Sequence, residues 1–179
     1  MYINCFVFGR YDHHLITNHL STIKSNIYII GQNLEKYSMI SFEHLTFIDS
    51  LNFLNCSLAK LVENLAEEGK QKFPLLLQEF PNPTDQDLLL KKGLYPYSYM
   101  DGWEKFGETK LPPKEAFTND LTGEPISDDD YTHAQHVWQH FNIKNLGEYH
   151  DLYCKTDVIL LASVSYCFKW FSSSYNISL

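Results

Sequence analysis

Apolar positions change their spacing along this 179-residue chain, and the change separates a strand-rich beginning from a helix-rich remainder. Residues 2–8 (Tyr-Ile-Asn-Cys-Phe-Val-Phe) form an aromatic and β-branched run that predicts a buried strand. Leu15, Ile16, His19 and Leu20 then take helical spacing, so a helix is expected after Asp12. Three short strands joined by turns follow at 26–30, 37–42 and 45–48. Ser57 is placed to cap an amphipathic helix over 58–68, which Gly69 stops. Thr84 is expected to cap a short helix over 85–92, closed by Gly93. Ser127 and Asp128 open a helix to about 141, and a last helix runs from Asn145 to about 171 with Glu148 in the capping-box position. Periodicity fails between 93 and 130, where glycines and prolines alternate with Tyr95, Tyr97, Tyr99, Trp103 and Phe106. A connection that long is usually functional, and here it reads as an insertion pinned by aromatic rings. Strands first and helices afterwards predict a mixed α/β layer over a single domain, 1–179.

Composition narrows the picture. The chain is 44% hydrophobic and 15% aromatic, enough for a real core. Its formal net charge of −8 argues against a free-standing basic DNA-binding module. It leaves room for a nuclease centre, in which carboxylates hold the ions that face phosphate. Cys5, Cys56, Cys154 and Cys167 are scattered with no Cys-x-x-Cys pair, so reduced, buried thiols of an intracellular protein are expected. No signal peptide is evident, and the longest apolar run, 158–168, is too short to cross a bilayer and is broken by Ser163 and Ser165. A soluble intracellular protein without membrane association is the expectation.

The chemistry concentrates in 147–162, Gly-Glu-Tyr-His-Asp-Leu-Tyr-Cys-Lys-Thr-Asp-Val-Ile-Leu-Leu-Ala. Tyr153 and Asp157 stand four residues apart on a predicted helix and therefore on one face. A phenol beside a carboxylate on a rigid helix can hold a metal ion and position a water for phosphodiester hydrolysis. His133, His136 and His140 also share a helix face and have spacing that zinc can use, but no cysteine or acid pattern accompanies them, so a polar face is the stronger reading. Tyrosines of the 93–130 segment can stack on unpaired bases or fill the space beneath a long loop, and the second is favoured.

The string around Tyr153 and Asp157 resembles the third exonuclease motif of family-B DNA polymerases, in particular the protein-primed branch of viruses, linear organellar plasmids and Maverick/Polinton transposons. Residues 8–16, Phe-Gly-Arg-Tyr-Asp-His-His-Leu-Ile, resemble the second motif, with Asp12 at the metal-binding aspartate and Val7 or Phe8 where the family has asparagine. Asp12 would otherwise serve as the cap of the helix after it. Residues 49–61 resemble a family segment that contacts single-stranded DNA and the terminal protein, which places Ser57, Leu58 and Leu61 in those positions. They read equally as an ordinary capped helix. Residues 91–97, Lys-Lys-Gly-Leu-Tyr-Pro-Tyr, and the Leu-Pro of 111–114 also resemble family stretches, with Lys110 and Lys114 as candidates for phosphate contact.

The resemblance implies an RNase H-like α/β fold, truncated at its N-terminus, that carries most of a 3′–5′ proofreading exonuclease. Asp12 and Asp157 would bind Mg²⁺ or Mn²⁺, Tyr153 would orient the attacking water, and Tyr11, Ser57, Leu58, Lys110 and Lys114 would contact DNA. The partners implied are a single-stranded DNA 3′ end and a terminal protein, in the nucleus if the sequence is a eukaryotic transposon copy. The family uses four carboxylates around two ions roughly 3.5–4 Å apart. The opening Asp-x-Glu pair is missing here, Glu43 and Asp49 match no position in the pattern, and the family's acid after 161–162 is replaced by Ser163. No polymerase palm motif is found. Weak ion binding, very slow catalysis and a chain cut at both ends are therefore expected. The alternatives are a non-catalytic remnant that binds single-stranded DNA or a protein partner, and a fragment that does not fold stably.

Overall fold

The computed structural model describes residues 2–5, 19, 22, 26–33, 36–49, 56–118 and 125–174. Their fold is mixed α/β. Four strands, β1 (Tyr2–Cys5), β2 (Ile27–Asn33), β3 (Lys36–Phe42) and β4 (Leu45–Asp49), form one sheet in the order β1-β4-β3-β2. Five α-helices follow among the described residues: α1 (Leu58–Glu67), α2 (Pro74–Glu79), α3 (Pro83–Leu90), α4 (Asp128–His140) and α5 (Leu146–Ser174). None is long and apolar enough to cross a membrane. The helix expected after Asp12 falls largely outside the described residues.

The chain divides into two compact units, one of residues 1–61 with 168–179 and the other of residues 62–167. In the first, β2, β3 and β4 make an antiparallel meander, with β1 parallel to β4. Register follows the alternation of side chains. Ile40 pairs with Phe47 on one side and Ile29 on the other, while the next pair along, Ser41 with Thr46, joins its hydroxyls at 3.0 Å. Ile40 is fully buried against Ile27, Tyr37, Phe42 and Phe47, and Phe42 stacks on Phe47 at 5.7 Å.

In the second unit the helix ends obey local rules. Gly69 stops α1 with φ of 107°, a backbone conformation that side chains with a Cβ rarely adopt. Pro74 at the first turn starts α2, a helix too short for periodicity to reveal. The cap of α3 is Asn82 rather than Thr84: the Asn82 side chain accepts from the Thr84 amide at 3.0 Å. Pro83 between them fits the first helical position, so α3 runs from residue 83 to 90 and not from 85 to 92. Ser127 caps α4 by accepting from Asp130 N at 3.0 Å. The far end of α4 closes with Asn142 at φ 52°, where Asn142 N donates to Gln139 O and Ile143 N donates to Trp138 O. This pair of hydrogen bonds satisfies the Gln139 and Trp138 carbonyls, and Ile143 enters the core. Asn145 opens α5 by accepting from Glu148 N, and Glu148 in turn accepts from Lys144 N at 2.7 Å.

Leu146, Tyr149, Thr156, Leu160, Ser163 and Val164 recur at helical spacing and are buried on α5. Around Ile143, Leu146 and Tyr149 pack Tyr95, Tyr99, Met100, Leu111, Val137 and Trp138. Tyr95 and Tyr99 of the aromatic stretch thus pack into this cluster. The stretch is followed by short 3-10 turns at Trp103–Gly107 and Lys114–Phe117.

Candidate functional site

Tyr153 and Asp157 lie together on α5 beside a recess within the second unit. The recess is lined by Leu88 and Leu89 of α3, Lys91 and Gly93 after it, His133 and Val137 of α4, and Tyr153, Thr156 and Asp157. About 30 Å³ of it is open to the centre of a water molecule, room for one or two waters. Gly93 belongs at its rim because a Cβ there would come 2.9 Å from the Tyr153 ring.

Burial governs the electrostatics. The Asp157 carboxyl is pushed up from its ordinary value chiefly by desolvation, while a hydrogen bond from Tyr153 and the charge of Lys92 pull the other way. Asp157 has no ion-pair partner at contact distance among the described residues. A half-buried carboxylate in that condition offers a hard oxygen donor that a divalent cation suits. The Tyr153 phenol is held firmly protonated, first by burial, then by its bond to Tyr97 and the nearby Asp157 charge. A protonated phenol can hold and orient a hydrogen-bonding partner.

Two polar atoms beside this pair lack partners. Among the described residues Thr156 Oγ1 and His133 Nε2 are buried without a hydrogen bond, and both residues line the recess. Burial holds the His133 ring below its ordinary pKa, with Lys91 and His136 adding to the effect.

The aromatic segment reaches this site directly. Tyr95 stacks on Tyr153 with centroids 4.9 Å apart, and the Tyr97 hydroxyl meets the Tyr153 hydroxyl at 2.7 Å. Tyr149 donates to Leu94 O at 2.6 Å and fixes the same stretch to α5. Tyr97 itself is 68% exposed, and its ring meets Tyr153 edge-on with centroids 6.2 Å apart.

Of the residues singled out in the sequence, Tyr11 and Asp12 lie outside the described residues, so their position relative to Asp157 is not part of the described site. Asp157 is a single donor, and no group of three or more His, Cys, Asp or Glu suited to a metal occurs among the described residues. Ser57 caps α1 by accepting from Lys60 N at 3.3 Å, and Leu58 is half-buried on that helix. Lys114 pairs with Asp128 at 2.6 Å in a solvent-exposed ion pair. Lys110 is exposed and has no ion-pair partner among the described residues. The histidine face resolves into separate contacts: His140 Nε2 meets Asp85 at 2.6 Å, and His136 packs edge-on against His140. Cys56, Cys154 and Cys167 are free thiols, but Cys154 is exposed, contrary to the expectation of buried cysteines. It falls on the outward side of α5, where the burial stripe of 149, 156 and 160 leaves it in solvent.

Three features escape sequence reasoning: the Tyr97–Tyr153 bond across 56 positions, the unpartnered Thr156 and His133 atoms, and the pairing of His150 with Cys154. Only the last has a local signal, a spacing of four residues on one helix. Comparison with family models, curated proteins and solved structures finds no match to this chain.

Proposed function

We propose that this chain is most of the 3′–5′ exonuclease domain of a protein-primed family-B DNA polymerase, built on an RNase H-like fold. The resemblance of residues 8–16 and 147–162 to two exonuclease motifs supports this reading, and one observation carries it. Tyr153 and Asp157 share a helix face at a largely apolar recess, and Asp157 is a desolvated carboxylate with no ion-pair partner among the described residues. In this reading Asp157 and Asp12 are ligands for Mg²⁺ or Mn²⁺. A bound pair of such ions supplies charge stabilisation at the attacking and leaving oxygens of a phosphodiester. The protein's own part is to hold that charge with Asp157, to orient a water through the protonated Tyr153 hydroxyl, and to exclude bulk solvent with Tyr95 and Tyr97. Its substrate is a single-stranded DNA 3′ end, and a terminal protein is its partner in the parent polymerase.

A second reading is a non-catalytic remnant that binds single-stranded DNA or a protein. The Tyr97–Tyr153 bond favours it, because that contact occupies the hydroxyl that a water would use. A 5′-labelled single-stranded oligonucleotide incubated with the protein and Mn²⁺ separates the two. The exonuclease reading predicts a slow ladder of products shortened one nucleotide at a time from the 3′ end, lost in Asp157→Ala. The remnant reading predicts intact DNA, with binding that falls steeply as salt rises.

A further inference from the structure

We infer that His150 and Cys154 form a second cation site on the outward side of α5, selective for one borderline-soft divalent ion of the zinc type. The two residues are four apart on one helix, a spacing that brings paired ligands to one face. Cys154 Sγ is 3.6 Å from His150 Nε2. A tetrahedral ion with a sulfur bond of about 2.3 Å and a nitrogen bond of about 2.0–2.1 Å separates its two ligands by about 3.6 Å. The same sulfur is 4.0 Å from Nδ1, so it stands beside the ring and nearer Nε2, and ion binding would require the exposed Cys154 side chain to turn toward the Nε2 lone pair.

The imidazole is already oriented. Its Nδ1 meets the Tyr95 hydroxyl at 2.7 Å, and its ring is clamped between Tyr95 at 5.4 Å and Phe106 at 5.1 Å. With Nδ1–H donating to the Tyr95 oxygen, Nε2 keeps its lone pair, and this is the tautomer a metal selects. Binding breaks the Cys154 S–H bond as the sulfur–metal bond forms, releases one proton to solvent, and consumes no oxidant or reductant. Water fills the remaining positions, since no third His, Cys, Asp or Glu completes a cluster among the described residues. A nitrogen and a sulfur donor discriminate against the hard ions suited to Asp157. The site therefore stands or falls independently of the exonuclease reading.

Titration of Co²⁺ into the whole chain under reducing conditions tests it, because a thiolate ligand produces a charge-transfer band in the near ultraviolet. One saturating ion with that band is expected. Cys154→Ser, a change of one exposed atom, should abolish the band, and His150→Gln should weaken binding at least about tenfold. Tyr95→Phe, which removes the outer hydrogen bond, should cost about 10–100-fold in affinity. Asp157→Ala should leave the band intact. Absence of the band in the wild type, its survival in Cys154→Ser, or its loss in Asp157→Ala would each overturn the proposal.

Discussion

The two units hold themselves together by different means. Among the described residues the sheet unit has one fully buried side chain, Ile40, and its edge strand β2 presents Tyr28, Ile29 and Ile30 to solvent. The helical unit buries Phe73, Leu76, Leu146 and Tyr149 and adds hydrogen bonds that join distant segments, such as Tyr149 to Leu94 and His140 to Asp85. A sheet whose ladder is satisfied by neighbouring strands needs little side-chain specificity to form. A helical unit with a long irregular segment must fix that segment residue by residue. Chemistry follows the second strategy, because a recess framed by rings and polar contacts holds Tyr153 and Asp157 in one arrangement.

The contrast predicts graded effects. Phe73→Ala, at a site with no exposed surface, should cost about 3–5 kcal/mol in a denaturant melt and unfold the helical unit first. Tyr149→Phe should cost about 1–3 kcal/mol, because it leaves the Leu94 carbonyl without its partner, and should loosen the 93–99 stretch in hydrogen exchange. Ser127→Ala should cost about 1 kcal/mol through loss of the α4 cap, seen as a lower thermal midpoint with the recess unchanged. In the sheet unit, Ile29→Thr on the exposed edge should change stability by no more than about 0.5 kcal/mol. An effect there as large as that of Phe73→Ala would break the comparison.

The recess also predicts a pH dependence. Asp157 binds its proton more tightly in the folded protein than in the unfolded chain. Its contribution to stability is therefore greatest below the ordinary carboxyl value of 3.8 and declines as pH rises through the raised folded value. Asp157→Asn removes this decline. In chelator-containing buffer, melts across that window should show the variant gaining on the wild type as pH rises and exceeding it near neutrality. Equal pH profiles for the two proteins would remove the desolvation argument.

Much of the fold was legible because its signals are local. The strands at 36–42 and 45–49, the cap at Ser127 and the capping box at Glu148 rest on alternation or on a side chain reaching an amide three residues away. α2 was missed because six residues complete less than two turns, and Pro74 rather than periodicity starts it. The cap of α3 was displaced by two positions because Thr84 and Asn82 are both good caps, and Pro83 decides between them. At the site, the pairing of Tyr153 with Asp157 was legible from helical spacing. The contact of Tyr97 with Tyr153 was not, because it depends on how a 37-residue connection between α3 and α4 folds back on α5.

The central proposal is that Asp157 and Asp12 are ligands for a hard divalent ion. Calorimetric titration of Mn²⁺ into the folded protein, repeated with Asp12→Ala and Asp157→Ala, tests it most directly. The account predicts weak but saturable heat in the wild type that either substitution abolishes. No heat from a protein shown to be folded, or heat unchanged by both substitutions, would contradict it.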